Sequence, residues 1–486
     1  MKEKLNIRTF QTRARITEKA ENTLCEVATV FAEVSHSLFA EMAKGKTPHE
    51  LKAPFLRQFQ ITARHFNACR VAVEGKIASI KERRAGLIAE QKETIQSLQK
   101  KINQLEKRHK DPLKTHQKKR RLHRLQHRLE KLEKDHKDGT VRLCFGSRKL
   151  FHKQFDLEAN GFSSHEQWQK VWREKRTAEI FFLGSKDESG GNQSCTAILQ
   201  QDSNLSLRIR LPDALCQHTN KYLIIPNIHF AYGHQEILAA LEQKQAISWR
   251  LCKDKKGWTV FASTSVELPK ATSTLKLGVV GLDINVDHLA LAETDRFGNP
   301  INGLSISLCL YGKNKHQSKA TISEACKQAV EYAREKNKPL ILEKLDFQKK
   351  KSALRENSSR PYSRTLSSFA YSSIIEGLHS SAGKQGVAVC SVNPAFTSII
   401  GRVKFADRYG LTSHQAAALC IGRRFLGGSE RLPRSLGKVP TGKRDHVALP
   451  LPVRNRSEHV WTPWRKINKS FQVALAAHFR RARAHP

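Results

Sequence analysis

The stretch Leu277-Gly278-Val279-Val280-Gly281-Leu282-Asp283-Ile284 reads as an apolar β-strand with a single acid near its end. A carboxylate in such a strand is costly to bury without a partner, and a metal ion is one partner that would offset the cost. Outward from it, residues 287–293 read as a second strand and residues 299–310 as a third, with turns at Asn285 and across residues 295–298. The pattern then predicts a helix over 321–336, a strand over 339–343, a helix over 363–382, a strand over 386–392 and a helix over 413–425.

That order, βββαβαβα, is the order of the RNase H-like nucleases. Their chemistry takes acids from the first strand, the end of the fourth strand and the last helix, converging on divalent cations that activate water and stabilise the leaving oxygen. Asp283 stands in the first place and Glu343, in Leu340-Ile341-Leu342-Glu343, in the second, with Asp346 as a rival ligand three residues on. The last helix opens Leu411-Thr412-Ser413-His414-Gln415, with a histidine where an acid is usual. A neutral imidazole can ligate a divalent ion, yet it removes a negative charge and suits Mn2+ better than Mg2+, which prefers oxygen. His414 can equally be a packing residue at a helix start capped by Thr412 or Ser413. Asp407 is the alternative source of the missing carboxylate.

Composition points the same way. The 486 residues include 85 Lys and Arg against 45 Asp and Glu, a formal charge of +40, and a repulsion of that size is tolerated when a polyanion neutralises it. Nucleic acid is the expected partner. No apolar run is long enough to span a bilayer and residues 1–9 lack a secretory apolar stretch, so a cytoplasmic protein with no membrane partner is expected. The ten cysteines contain no C-x-x-C pair, which argues against a disulfide framework and a zinc ribbon, so no structural zinc is expected.

Upstream, residues 1–18 hold a strand-like run, and residues 19–138 read as a helical lobe. Its clearest seam is Ile88, Ile95, Leu98, Ile102 and Leu105; Asp111-Pro112 interrupts it before Leu122, Leu125, Leu129 and Leu132 resume, which predicts a long antiparallel hairpin. Residues 139–272 turn β-rich, with runs over 141–145, 180–183, 205–211, 222–225, 246–251 and 258–266 and a helical insertion over 164–177, which suits a small barrel or sandwich. The nuclease-like part covers 273–428, and the basic tail, 429–486, is expected to be partly disordered. The overall class is therefore α+β and multidomain.

Four quoted stretches carry a specific resemblance. Gly281-Leu282-Asp283 with its hairpin, Leu342-Glu343-Lys344-Leu345-Asp346-Phe347, the run from Ser368 to Val387, and Val392-Asn393-Pro394-Ala395-Phe396-Thr397-Ser398 resemble the three RuvC segments of TnpB-like nucleases and compact type V CRISPR effectors. The resemblance covers residues 275–428 by motif, and the upstream parts only in order, as a recognition lobe and a wedge domain. It implies an effector that carries a guide RNA, opens target DNA and cuts it at one RuvC site, with base pairing reading the sequence. By position it implies Asp283 and Glu343 as metal ligands, with His414 in place of a third aspartate. Relatives carry a four-cysteine ribbon after Thr-Ser, whereas this chain has a short basic loop around Arg402 and Lys404. Lys349, Lys350, Lys351, Arg355 and Arg360, together with Arg402, Lys404, Arg423 and Arg424, are the expected contacts to nucleic-acid backbone.

Overall fold

The computed structural model describes residues 6–107, 112–186, 189–216, 220–344, 368–432, 437–440, 446–449, 451–452 and 457–484. They fall into two compact units, one drawn from residues 1–95 and 111–267, the other from 96–110 and 268–486.

The first unit begins with β1 (Ile7–Arg13) and three helices, α1 (Glu18–Ala43), α2 (Pro48–Phe59) and α3 (Ala63–Lys107), of which α3 runs on beyond this unit. The α1 side chains Leu24, Val27, Phe31, Val34 and Leu38 recur every three or four residues and are buried, the spacing that presents one helical face to a core. The predicted seam is seen as α3 followed by α4 (Pro112–Lys137). Arg84 reaches the carbonyl of Asp135 and Gln91 that of Leu125, so α4 runs back along α3.

Next come α5 (Arg148–His152), α6 (His165–Arg176), β2 (Glu179–Phe182), β3 (Cys195–Leu199), β4 (Leu205–Arg210), β5 (Tyr222–Ile228), α7 (His234–Glu242), β6 (Ser248–Asp254) and β7 (Gly257–Ser265). The strict alternation of buried and half-buried side chains along β7 shows why that run is a strand with one apolar face. The strands make two open sheets, β1-β7-β6-β2 and β3-β4-β5, and no closed barrel forms among the described residues. Residues 141–145, expected as a strand, are irregular; their Phe145 ring packs 4.2 Å from His36 and 5.9 Å from Phe39. The strand β3 is one that the sequence pattern does not predict.

The second unit follows the predicted order closely. An antiparallel meander of β8 (Val280–Ile284), β9 (His288–Thr294) and β10 (Pro300–Ser307) leads to α8 (Lys315–Glu335), β11 (Leu340–Glu343), α9 (Ser368–Gln385) and β12 (Val389–Val392). The five strands lie in the order β10-β9-β8-β11-β12, with β11 parallel to both β8 and β12. Alternation divides the two faces. Val280, Leu282, Leu340 and Leu342 pack with Ile322, Ala325 and Ala329 of α8 and Ile374 and Leu378 of α9, while Val279 and Ile341 pack with Ile421.

Beyond β12 the chain is helical, with α10 (Thr397–Gly401), a π-helical stretch Arg402–Ala406 and a last turn Asp407–Tyr409, in place of the expected basic loop. Then follow α11 (Ser413–Phe425), the hairpin β13 (Gly437–Pro440) and β14 (His446–Leu449), and α12 (Thr462–Ala484). The tail is part of this unit's core: Trp464, Ile467 and Phe471 are buried with Val439, Leu449 and Leu419. Burial of two large aromatic rings stabilises by several kcal/mol in all, at about 25 cal/mol per Å² of apolar surface, which explains order in so basic a segment. Among the described residues no helix is long and apolar enough to cross a membrane.

Candidate functional site

Side-chain alternation puts Gly281, Asp283, Ile341 and Glu343 on the face of the sheet that α11 covers. Gly281 is what lets the helix come so close. A Cβ there would stand 2.0 Å from the carbonyl oxygen of Ala418, so any larger residue would push α11 off the strand. The pairing of Leu340 with Val280 and Ile341 with Gly281, continued by two residues, sets Glu343 beside Asp283 on neighbouring strands, which lie about 4.8 Å apart in a sheet. The N-terminus of α11, closed by a capping box between Thr412 and Gln415, brings His414 over the same spot.

Asp283 is 8 % exposed. Its Oδ2 accepts from the amide of Asn285 at 3.1 Å and lies 3.2 Å from His414 Nδ1. A carboxylate oxygen accepts, so Nδ1 is the donor edge of the ring in that pair. The His414 ring meets His288 edge-on at 4.9 Å, and His288 Nδ1 pairs at 2.7 Å with Asp287, whose carboxyl is held below its ordinary range chiefly by that bond. Glu343 Oε1 accepts from the hydroxyl of Thr397, a residue 1 % exposed at the start of α10. In the sequence Thr397 stands within the Asn-Pro-Ala-Phe-Thr-Ser string, where nothing in the pattern assigns it a task.

The structure thus brings Asp283, Glu343 and His414 to one face of the sheet. Asp407 points elsewhere, 3.7 Å from His446 Nε2. Asp346, Lys349, Lys350, Lys351, Arg355 and Arg360 lie outside the described residues. Among the described residues no three His, Cys, Asp or Glu side chains are grouped as a dedicated metal cage requires. The residues fit a more modest role: Mg2+ is commonly held by one or two carboxylates, with waters and substrate phosphate completing its shell, and Asp283 and Glu343 are two such carboxylates on adjacent strands.

The four described basic residues expected to meet nucleic acid, Arg402, Lys404, Arg423 and Arg424, make contacts inside the unit. The guanidinium of Arg424, whose side chain is 10 % exposed, bonds Glu430 and the carbonyls of Asn393 and Ala395, and lies 5.3 Å from the Trp461 ring. Arg423 bonds the carbonyl of Gly298 and covers Phe405, Lys404 donates to the carbonyl of Ser429 at 2.7 Å, and Arg402 lies over Phe471 at 5.0 Å. Burial lowers the pKa of both Arg402 and Lys404 from their ordinary values. Nothing in the alternation of basic letters distinguishes a lysine that reaches outward from one that caps a carbonyl, so the sequence carries no signal for this.

Arg424 and the tail form one scaffold for the Glu343 side of the site. Glu430 accepts from Arg424 and from Trp461 Nε1 at 2.6 Å, and its carbonyl accepts from Trp464 Nε1 at 2.6 Å. Arg424 in turn holds the Asn393–Ala395 backbone that leads into Thr397.

No protein-family model and no curated protein matches the chain. Among solved structures it is similar to Thermus thermophilus RuvC at 15 % identity, over 31 % of this chain and 96 % of that one, with a TM-score of 0.22. It is also similar to T. thermophilus RuvC in complex with a Holliday junction substrate at 14 % identity, over 30 % of this chain and 88 % of that one, with a TM-score of 0.22. A third is a CRISPR-Cas12f ternary complex at 11 % identity, over 86 % of this chain and 98 % of that one, with a TM-score of 0.20.

Proposed function

We propose that this chain is an RNA-guided DNA endonuclease that hydrolyses guide-matched DNA at a single site built on Asp283 and Glu343. The observation that carries the reading is the placement of these two acids, from the first and fourth strands of the sheet, on the one face that α11 covers. The +40 charge supports a nucleic-acid partner, and the Gly-Leu-Asp, Leu-Glu-Lys-Leu-Asp-Phe and Asn-Pro-Ala-Phe-Thr-Ser strings support the guided class.

A divalent cation, Mg2+ or Mn2+, would be held by Asp283 and Glu343 and would supply a water of lowered pKa and charge stabilisation at the phosphate. The chain's own part is positional. Asn285 and His414 fix the carboxylate of Asp283, and Thr397 fixes that of Glu343. Guide RNA and target DNA are the proposed partners, with sequence read by base pairing.

A second reading, a guide-dependent DNA binder without cleavage, is favoured by His414 standing on Asp283 where a third acid is expected. One assay separates the two: cleavage of guide-matched duplex DNA by the protein with its co-purified RNA, in magnesium and in manganese, for wild type and Asp283→Ala. Cutting that is lost in the variant supports the nuclease. Guide-dependent binding with no cutting in either metal overturns it and leaves the binder.

A further inference from the structure

The helical insertion of the first unit, residues 147–177, has a role that the nuclease reading does not use. Ser147 and Ser164 cap its two helices, accepting from the backbone of Leu150 and Gln167 at 3.2 Å each. Trp168, 4 % exposed, donates its Nε1 hydrogen to the carbonyl of Leu150 at 2.9 Å and so pins α6 to α5. These bonds cap the two helices of the module and tie them together. Its outer surface is nevertheless aromatic: Phe155 is 73 % exposed and Phe151 38 %. Phe151 lies 6.1 Å from Phe155 and 5.5 Å from Trp172, Trp172 is stacked on Trp168 at 5.9 Å, and Arg176 covers Trp172 at 5.7 Å.

Rings left in water on the outside of the module are not serving its core. Arg148 and Lys149, in the same short helix as Phe151, are exposed, Lys153 is half-buried with its ammonium 5.7 Å from the Phe162 ring, and His152 lies within 6.1 Å of Phe155. The insertion carries seven Lys and Arg against four acids. Free ring faces next to cations are the composition of a surface that stacks bases while its charges track the phosphates. An apolar protein partner would be served by the rings and gain nothing from the cations around them.

We propose that Phe155, backed by Phe151 and Trp172, is a stacking platform for unpaired bases of single-stranded nucleic acid, with Arg148, Lys149 and Lys153 contacting its phosphates. A base pair inside a duplex offers no free face except at its end, so the platform discriminates against duplex. The proposal does not rest on the carboxylate site, which belongs to the other unit.

The test is fluorescence anisotropy of the full-length protein with oligo(U), oligo(dT) and a blunt duplex of equal length, over a range of salt. Phe151→Ala/Phe155→Ala is expected to weaken single-strand binding about ten- to a hundredfold, in keeping with about 1–3 kcal/mol per stacked base, and to leave duplex binding within about twofold. Phe155→Trp is expected to retain affinity, and Lys149→Ala/Lys153→Ala to flatten the salt dependence that the ring variants leave unchanged. A stronger loss on oligo(U) than on oligo(dT) would assign the platform to RNA, and the reverse to DNA. Unchanged single-strand affinity in the double variant overturns the proposal, as does an equal loss on strand and duplex. Loss of self-association in sedimentation with strand binding intact would make the patch a protein interface and overturn it as well.

Discussion

His414 Nδ1 lies 3.2 Å from Asp283 Oδ2, so the residue standing where a third acid is expected is hydrogen-bonded to the first one. The bond holds one edge of an imidazole whose side chain is 43 % exposed. A ring nitrogen favours manganese and a carboxylate oxygen favours magnesium. Under the nuclease reading, His414→Asp is therefore expected to raise magnesium-supported cleavage relative to manganese-supported cleavage, and His414→Ala to lower the manganese rate more than the magnesium rate. The ratio of single-turnover rates in the two metals checks this, and an unchanged ratio in both variants would remove His414 from the site.

Thr397 is buried and its hydroxyl lies within reach of Glu343 and of the carbonyl of Pro394. Removing a partner that orients a metal-binding side chain typically costs about 10- to 100-fold in metal affinity or activity. Thr397→Val, which keeps the shape and deletes the donor, should shift the half-saturating magnesium concentration upward by that order, while Thr397→Ser restores most of it. Equal magnesium dependence for valine and serine variants would show the contact to be structural only.

The part of the fold that sequence reveals best is the part where periodicity and chemistry coincide. The alternation Val279-Val280-Gly281-Leu282-Asp283 encodes both a strand buried on two faces and an acid on one of them, and α11 follows from an apolar run opened by a cap. The tail resisted reading because its apolar residues are few and widely spaced: Trp464, Ile467 and Phe471 make a helical stripe only once β13 and β14 supply the surface they cover. The basic residues resisted for a different reason. Arg402, Lys404, Arg423 and Arg424 look like a phosphate-binding run in one dimension, yet each meets a carbonyl, a carboxylate or a ring of the same unit.

Arg424 makes that distinction measurable. Its side chain is 10 % exposed and that of Glu430, its partner, 13 %, so truncation leaves a mostly buried carboxylate without its counter-charge, held only by the Trp461 indole, and two loop carbonyls without their donor. Arg424→Ala is expected to cost about 3–5 kcal/mol of stability in urea denaturation, as for a broken buried pair. It should leave the salt dependence of nucleic-acid binding unchanged for whatever protein stays folded. A flatter salt slope would instead mean that Arg424 does reach a phosphate.

The first unit should weaken in mild acid, and His65 is a principal cause. The residue is 1 % exposed, its Nε2 shares a 3.1 Å hydrogen bond with the carbonyl of Arg210, and its ring packs near Phe31 and Phe182. Burial lowers its pKa from the ordinary 6.5 to about 4. With the folded value below the unfolded one, the unfolded chain takes up the proton first. The effect is absent above about pH 7, grows as pH falls through 6.5 and saturates below about 4. At pH 5 the loss amounts to about 2 kcal/mol, because each pH step between 6.5 and 5 costs about 1.4 kcal/mol per whole pH unit while the folded histidine stays neutral. Urea denaturation of wild type and His65→Gln at pH 7.5 and pH 5 checks this. The variant should lose about 2 kcal/mol less than wild type between the two pH values, and an equal loss in both would place the acid sensitivity elsewhere.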